Sequence, residues 1–319
     1  MALIVPTKFP DSFPWVWVPG WFLTIVAILG NSMVIYLIAT SRRLRTQVNV
    51  FIVSLAIADL CFGLSYFPTF FTCEFYLPCD RQLRRIFAAY FAFASLTNAC
   101  FMTADRYIAV VMPFKYVSFM TSRCVVTMVI LSWLFPGVFY FLVAIILQQM
   151  TSENTVHTFK ILRVFVFQLT PCLSLLLATI QMFYIAHKHS KKMATIATQL
   201  QFNHPNSYKK PKDGFDISSA KFIGVVVFVM VLCYTSDSYL DLLSYFSTFR
   251  KTTDTEYVIC LLYITNSAVN PLVYALFKQD IKKEVKRLFF FKCRKLERDE
   301  ETGKYCFKII PSGIGGVPG

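Results

Sequence analysis

Two short runs place charge where charge is costly. Asp105-Arg106-Tyr107 closes one long apolar stretch, and Asp59 lies in the middle of another. An ionisable group at or inside a hydrocarbon layer has a partner or a task. Asp105 and Arg106 either snorkel to the interface or form a held ion pair that can be broken, which is a switch. Asp59 is either a protonated acid bonded to its neighbours or a functional carboxylate. A third constellation lies further along. Asp237 and Asp241 are four residues apart, so they share a helix face. Arg163 lies eight residues before Pro171, about two turns outward on the preceding apolar block. These charges either hold a polar ligand or close an internal Arg163–Asp bridge. The histidines (His157, His187, His189, His204) fall in loops or at a helix end, without metal-ligand spacing. Most of the ten cysteines sit inside apolar blocks, where a small buried thiol is ordinary. Cys73 and Cys79 flank an outside loop where oxidation is permitted, but spacing alone does not establish a bridge.

The elements that position these residues follow from composition. The chain has 319 residues, 56% hydrophobic and 16% charged, whereas soluble domains carry about 25% charged residues. Its mean hydropathy is +0.54. The apolar residues form seven blocks, 15–40, 49–71, 86–112, 125–147, 159–186, 222–246 and 257–277, several of them at the roughly 20 residues that a bilayer-crossing helix needs. The expected fold is an all-α membrane protein, a seven-transmembrane helix bundle over 15–277. Most of the basic residues fall in the segments on one face, which the positive-inside pattern places in the cytoplasm, leaving the short 1–14 segment extracellular. There the formal net charge of +14 meets anionic lipid, and nucleic acid is not needed to explain it. Nothing basic precedes a short apolar core, so the first block is expected to act as an uncleaved anchor.

After the seventh block, Phe277, Ile281, Val285, Leu288 and Phe289 recur at three-to-four spacing among lysines. That pattern predicts a short amphipathic eighth helix on the inner membrane surface over 278–291. Cys293 is either a palmitate acceptor or a plain thiol, and the cytoplasmic tail 292–319 is expected to be disordered. The polar, basic stretch down to residue 220 carries turn signals at Pro205, Pro211 and Gly214. It reads as a loop, with the sixth helix restarting at Asp216 or Ser218.

Taken in chain order, Gly30-Asn31, Leu55-Ala56-Ile57-Ala58-Asp59, Asp105-Arg106-Tyr107, Trp133, Pro171 and Asn270-Pro271-Leu272-Val273-Tyr274 are similar to the motifs of the rhodopsin-like (class A) G-protein-coupled receptors. The resemblance covers roughly 15–292. It implies a non-enzymatic plasma-membrane receptor that binds an extracellular ligand and activates a heterotrimeric G protein by opening the cytoplasmic face around Arg106. Asp105 would neutralise Arg106 at rest, with Asp216 as a second acid partner and Tyr107, Asn270, Pro271 and Tyr274 among the switch positions. Asp59 with Asn31, Ser95, Asn266, Ser267 and Asn270 matches the family's sodium pocket, so a sodium ion is the candidate modulator and no other cofactor is expected. The other reading of that set is a polar network without an ion. Arrestin is a further implied partner, reading added phosphate charge on Ser190, Thr195, Thr198 and Ser207 of the inner loop more than on the sparse tail hydroxyls Thr302, Tyr305 and Ser312.

The chain departs from the family pattern in several places. Tyr234 and Ser236 stand where the sixth helix usually has Trp and Pro, and Thr179 stands where a Tyr is common. Thr235, Ser236 and Ser238 could bend that helix by bonding back to its carbonyls. Arg81 replaces the usual third-helix cysteine, and the outer loop near 148–158 has none. Amine receptors resemble one another in an Asp eighteen residues before the Arg, here Ala88. Opsins need a Lys in the seventh span, and 257–277 has none. Neither an amine nor retinal is therefore expected, and Ala88, Arg163, Tyr234, Asp237 and Asp241 are the pocket candidates. A transporter would show internal repeats and paired interrupted helices, and a membrane enzyme a converging nucleophile or metal set; neither is visible. An atypical receptor with weak or no coupling remains the alternative, and guanine-nucleotide exchange on membranes separates these classes.

Overall fold

The structure is a computed structural model describing residues 13–76, 79–149, 158, 161–203, 214–247 and 252–288. Cys293 and the tail lie outside the described residues, as does the side chain of Asp216. In chain order come α1 (Phe13–Thr40), a 3-10 turn (Arg42–Leu44), α2 (Gln47–Ser65), α3 (Phe67–Phe75), α4 (Arg81–Val111), α5 (Pro113–Phe119) and α6 (Ser122–Gln149). A π-helical turn (Phe165–Leu169) then runs into α7 (Thr170–Asn203), followed by α8 (Gly214–Phe246) and α9 (Thr253–Phe277). A last helix, α10, covers 279–288. Among the described residues, seven stretches are long and apolar enough to cross a membrane. The second of them, Gln47–Cys73, is built from α2 and α3. It breaks at Tyr66 because Pro68 follows, and proline is tolerated only in a helix's first turn, where its missing N–H has no role.

The spans pack in sequence around α4. It lies against α2, α6, α7 and α8, while α1 lies against α2 and α9, and α8 sits between α7 and α9. Leu55, Phe93, Leu96, Met102, Met230 and Tyr274 belong to the main apolar core. Prolines within the spans each free a carbonyl four residues earlier, and lipid cannot satisfy it. At two of them the chain supplies the donor itself. Pro271 frees the Ser267 carbonyl, which accepts from Asn31 Nδ2 at 3.1 Å. Pro136 frees the Ser132 carbonyl, which accepts from Thr97 Oγ1 at 2.7 Å. These bonds tie α1 to α9 and α4 to α6 at the points where a helix is broken. Gly30 is the other half of the first joint, because a Cβ there would lie 2.6 Å from Pro271 Cγ. Trp133 Nε1 adds a bond to Ser54 Oγ at 2.9 Å, fastening α6 to α2.

Two expectations change. The fifth span does not give way to a loop near residue 187, and α7 continues to Asn203. Residues 191–200 comprise two Lys, two Ala, Met, Gln and Leu, all sound helix formers, with three β-branched residues, Thr195, Ile196 and Thr198, and no Gly or Pro interrupts the stretch before Pro205. Ser190, Thr195 and Thr198 thus lie on a helix, as do His187 and His189. Likewise α8 begins at Gly214, earlier than Asp216 or Ser218. The amphipathic helix appears over 279–288, with Ile281 only 1% exposed.

Candidate functional site

At the inner end of α4, Arg106 is held by three bonds. Its Nε and Nη2 both reach Asp105 Oδ2, at 2.8 and 2.6 Å. Its Nη2 also donates to Tyr116 Oη at 2.9 Å, and Tyr116 Oη donates in turn to Asp105 Oδ1 at 2.9 Å. The result is a closed ring of carboxylate, guanidinium and phenol. Tyr116 comes from α5, which Pro113 starts directly after the span ends. Burial pushes the Tyr116 phenol above its usual range, against the pull of the Arg106 charge and with the push of Asp105. Asp105 is fully buried and Arg106 is 7% exposed, so the pair is not the exposed type worth about 0–1 kcal/mol. Removing one partner of a buried pair costs about 3–5 kcal/mol, because the other charge is stranded. Tyr107 faces elsewhere and donates to Gln181 at 2.8 Å. Nothing in the residue pattern singles out Tyr116.

Mid-membrane, Asp59 is fully buried. Ser95 Oγ donates to Oδ1 at 2.8 Å, Ser267 Oγ to Oδ1 at 3.1 Å and Asn270 Nδ2 to Oδ2 at 2.6 Å. Two residues of the expected set stand apart. Asn31 joins only through the Ser267 carbonyl, and Asn266 makes no bond to Asp59; its Oδ1 is buried without a partner. The Asp59 carboxylate with the Ser95 and Ser267 hydroxyls is the oxygen-rich donor type that a small hard cation takes. Among the described residues no three His, Cys, Asp or Glu side chains form a metal-ligand group. Below this network, Tyr274 Oη and Thr179 Oγ1 are buried without hydrogen-bond partners.

At the outer end, Arg163 Nη2 pairs with Asp241 Oδ2 at 2.9 Å, so the internal bridge exists. Asp237 Oδ2 accepts from Tyr263 Oη at 2.8 Å and from Gln168 Nε2 at 3.4 Å. Gln168 Oε1 in turn accepts from Ser238 Oγ at 3.0 Å. Gln168 reaches α8 from the π-helical turn, and the turn has a local cause. Pro171 cannot bond four residues back, and Thr170 instead returns its N–H to Phe165, five residues earlier. Sequence reasoning missed Gln168 and Tyr263, whose only signal was a polar group in an apolar block. Tyr234 is buried and donates to the Ala92 carbonyl at 2.5 Å, which ties α8 to α4. Ala88 is buried as well. Thr235, Ser236 and Ser238 each bond back to a carbonyl four residues earlier. Cys73 and Cys79 form a disulfide with Cα atoms 5.5 Å apart.

The profile of the 7 transmembrane receptor (rhodopsin family) matches residues 30–274. Over 83% of this chain and 81% of its own length, human (Homo sapiens) trace amine-associated receptor 9 is 27% identical. The octopamine receptor beta-1R of Drosophila melanogaster is 25% identical over 86% of this chain and 62% of its own. Trace amine-associated receptor 13c of Danio rerio is 28% identical over 79% of each.

Proposed function

Because this chain belongs to the rhodopsin family of seven-transmembrane receptors, we propose that it takes an extracellular ligand at the outer end of the bundle and activates a heterotrimeric G protein at the inner end. Membership makes it a multi-pass membrane receptor; the plasma membrane, with the N-terminus outside, is the location proposed. One observation carries the reading. The Asp105–Arg106–Tyr116 ring buries the Arg106 guanidinium at the inner end of α4. Such a ring is stable closed and offers Arg106 to a partner when opened. The orphaned Tyr274 Oη and Thr179 Oγ1 support a resting state, since a buried polar group without a bond costs about 1–3 kcal/mol and a rearrangement can relieve it. Phe114, 99% exposed on α5 beside the ring, offers an apolar knob to that partner.

The test is guanine-nucleotide exchange on membranes carrying the full chain. Arg106→Ala should abolish basal and ligand-driven exchange while surface expression stays near that of the unaltered protein. Undiminished exchange in that variant removes the G-protein reading and leaves a receptor without coupling.

On the ligand, the relatives' names point to amines, whereas this chain has Ala88 where amine receptors carry their third-helix Asp. We therefore propose that a simple amine is not bound in that manner. The charges available at the outer end lie instead on α8, at Asp237 and Asp241, and on the segment before α7, at Arg163. Sodium is proposed as a modulator at Asp59 with Ser95 and Ser267. It would add positive charge beside the carboxylate and stabilise the packed resting arrangement.

A further inference from the structure

Three spans end together on the inner side of the bundle. α1 stops at Thr40, α2 starts at Gln47 and α6 starts at Ser122, and a cavity of about 380 Å³ opens between them. Its floor includes Ile38, Val50 and Val126, and its rim includes Arg45, Gln47 and Ser122. Val50 and Val126 are exposed on the outside of the bundle, so the floor is open to hydrocarbon. The rim stands at the boundary of the membrane-crossing stretches, where lipid head groups begin. The cavity is therefore apolar and polar in the same order as a lipid.

The field at the rim is positive. α2 and α6 are 19 and 28 residues long, and each begins at a residue of the rim. A helix carries about half a positive charge at its N-terminus, where its first N–H groups have no acceptor within the helix. Together these favour a bound anion. Neither first turn contains an acid, and Thr46 makes no side-chain bond that would cap α2. Arg45 adds a full charge. One of its N–H groups goes to the Ala39 carbonyl at 2.7 Å, of the five that a guanidinium offers. No acid is among the described residues that line the cavity. A separate observation asks for a donor. Asn49 also lines the cavity and is fully buried. Its Nδ2 reaches back to the Leu44 carbonyl at 2.6 Å, which sets the carboxamide level with the start of α2. Its Oδ1 is buried without a partner.

We propose that this cavity binds an inner-leaflet phospholipid whose head is an anionic phosphate ester of a polyol, the phosphatidylinositol class. The phosphate is taken by the N-termini of α2 and α6 with Arg45. A hydroxyl of the head donates to Asn49 Oδ1, and an acyl chain lies over Val50 and Val126. Charge and donor logic select the class. Phosphatidylcholine, phosphatidylethanolamine and phosphatidylserine all bring an ammonium group to a positive rim. A sterol brings a hydroxyl and no anion. A soluble phosphate leaves the apolar floor uncovered. The cytoplasmic leaflet is the one that carries anionic lipid. The site is separate from the extracellular ligand and from coupling, and it takes from the reading above only that this end faces the cytosol.

Crosslinking tests this on the full chain in phosphatidylcholine nanodiscs doped with a phosphatidylinositol that carries a photoreactive acyl chain. Labels should map to the faces of α2 and α6 that bear Val50, Val53, Val125 and Val126. Unlabelled phosphatidylinositol should displace the probe at a tenfold or lower share of lipid than phosphatidylserine, phosphatidylethanolamine or cholesterol. Ser122→Glu sets a carboxylate on the rim and should cut labelling tenfold or more. An acid in a first turn favours the helix, so the thermal midpoint of that variant should not fall. If it does fall, the next pair of variants decides. Arg45→Gln should cut labelling several-fold, and Arg43→Gln, which loses the same charge outside the cavity lining, should leave it unchanged. Labels confined to other faces overturn the proposal, as does equal displacement by any of the other three lipids. Displacement by soluble glycerophosphoinositol at equal concentration makes the site one for a free phosphate ester and overturns the lipid. Equal losses in Arg43→Gln and Arg45→Gln, or a folded Ser122→Glu that labels normally, also overturn it. Both leaflets of the nanodisc hold the same lipids and no nucleotide exchange is measured, so this result stands apart from the receptor reading.

Discussion

Tyr116 both accepts from Arg106 and donates to Asp105, so its hydroxyl closes a ring that the two charged residues cannot close alone. Tyr116→Phe removes those two bonds and leaves the Asp105–Arg106 contact intact. A hydrogen bond to a charged group contributes about 1.5–3 kcal/mol, and about 1.4 kcal/mol is a tenfold change in an equilibrium. Basal nucleotide exchange should therefore rise about tenfold or more in Tyr116→Phe, with ligand affinity raised in the same direction. An unchanged basal rate would show that the ring does not hold the resting state. The charged members of this site were legible in the sequence because a charge at a hydrocarbon boundary is rare. Tyr116 was not, because a tyrosine in an inner loop is common and only the turn begun by Pro113 aims it at Asp105.

At the scale of elements, the joint between α1 and α9 depends on two opposed effects. In a helix interior Gly→Ala gains about 1 kcal/mol of intrinsic propensity. At Gly30 the new Cβ would stand 2.6 and 2.9 Å from the rigid ring of Pro271, and overpacking of that kind costs about 1–3 kcal/mol. At Gly63 the nearest atoms are 3.5 and 3.6 Å away, which is ordinary contact. In the detergent-solubilised receptor, Gly30→Ala should lower the thermal midpoint, and Gly63→Ala should leave it level or raise it. Equal shifts in both would mean that the Pro271 contact is not what Gly30 is for. The seven spans were readable from apolar block length, which lipid enforces. The helical continuation of α7 to Asn203 was hidden, because a polar, basic composition suits an exposed helix and a loop equally. The π-helical turn was hidden as well, since proline announces a defect in hydrogen bonding without saying how the backbone resolves it.

At the scale of the whole molecule, Asp59 lies where α2, α4 and α9 meet, through Ser95, Ser267 and Asn270. A cation there would couple three spans at once. Replacing sodium by a large organic cation should raise basal exchange in the unaltered receptor and leave Asp59→Asn insensitive. Equal responses in both would assign the cluster to structure alone. The outer half of the site was only partly legible, because Asp237 and Asp241 announce charge but not which of them an internal arginine takes.

Among the described residues one disulfide is present, and it joins residues six apart, Cys73 and Cys79. It therefore staples one short segment to itself, and no cysteine in the 148–158 loop can anchor that loop to the central span. In redox terms, thiol–disulfide exchange at Cys73–Cys79 opens a clasp within one short segment. A mild reductant should leave the concentration dependence of activation where it was. A rightward shift of tenfold or more under reduction would mean that the clasp governs the entrance after all.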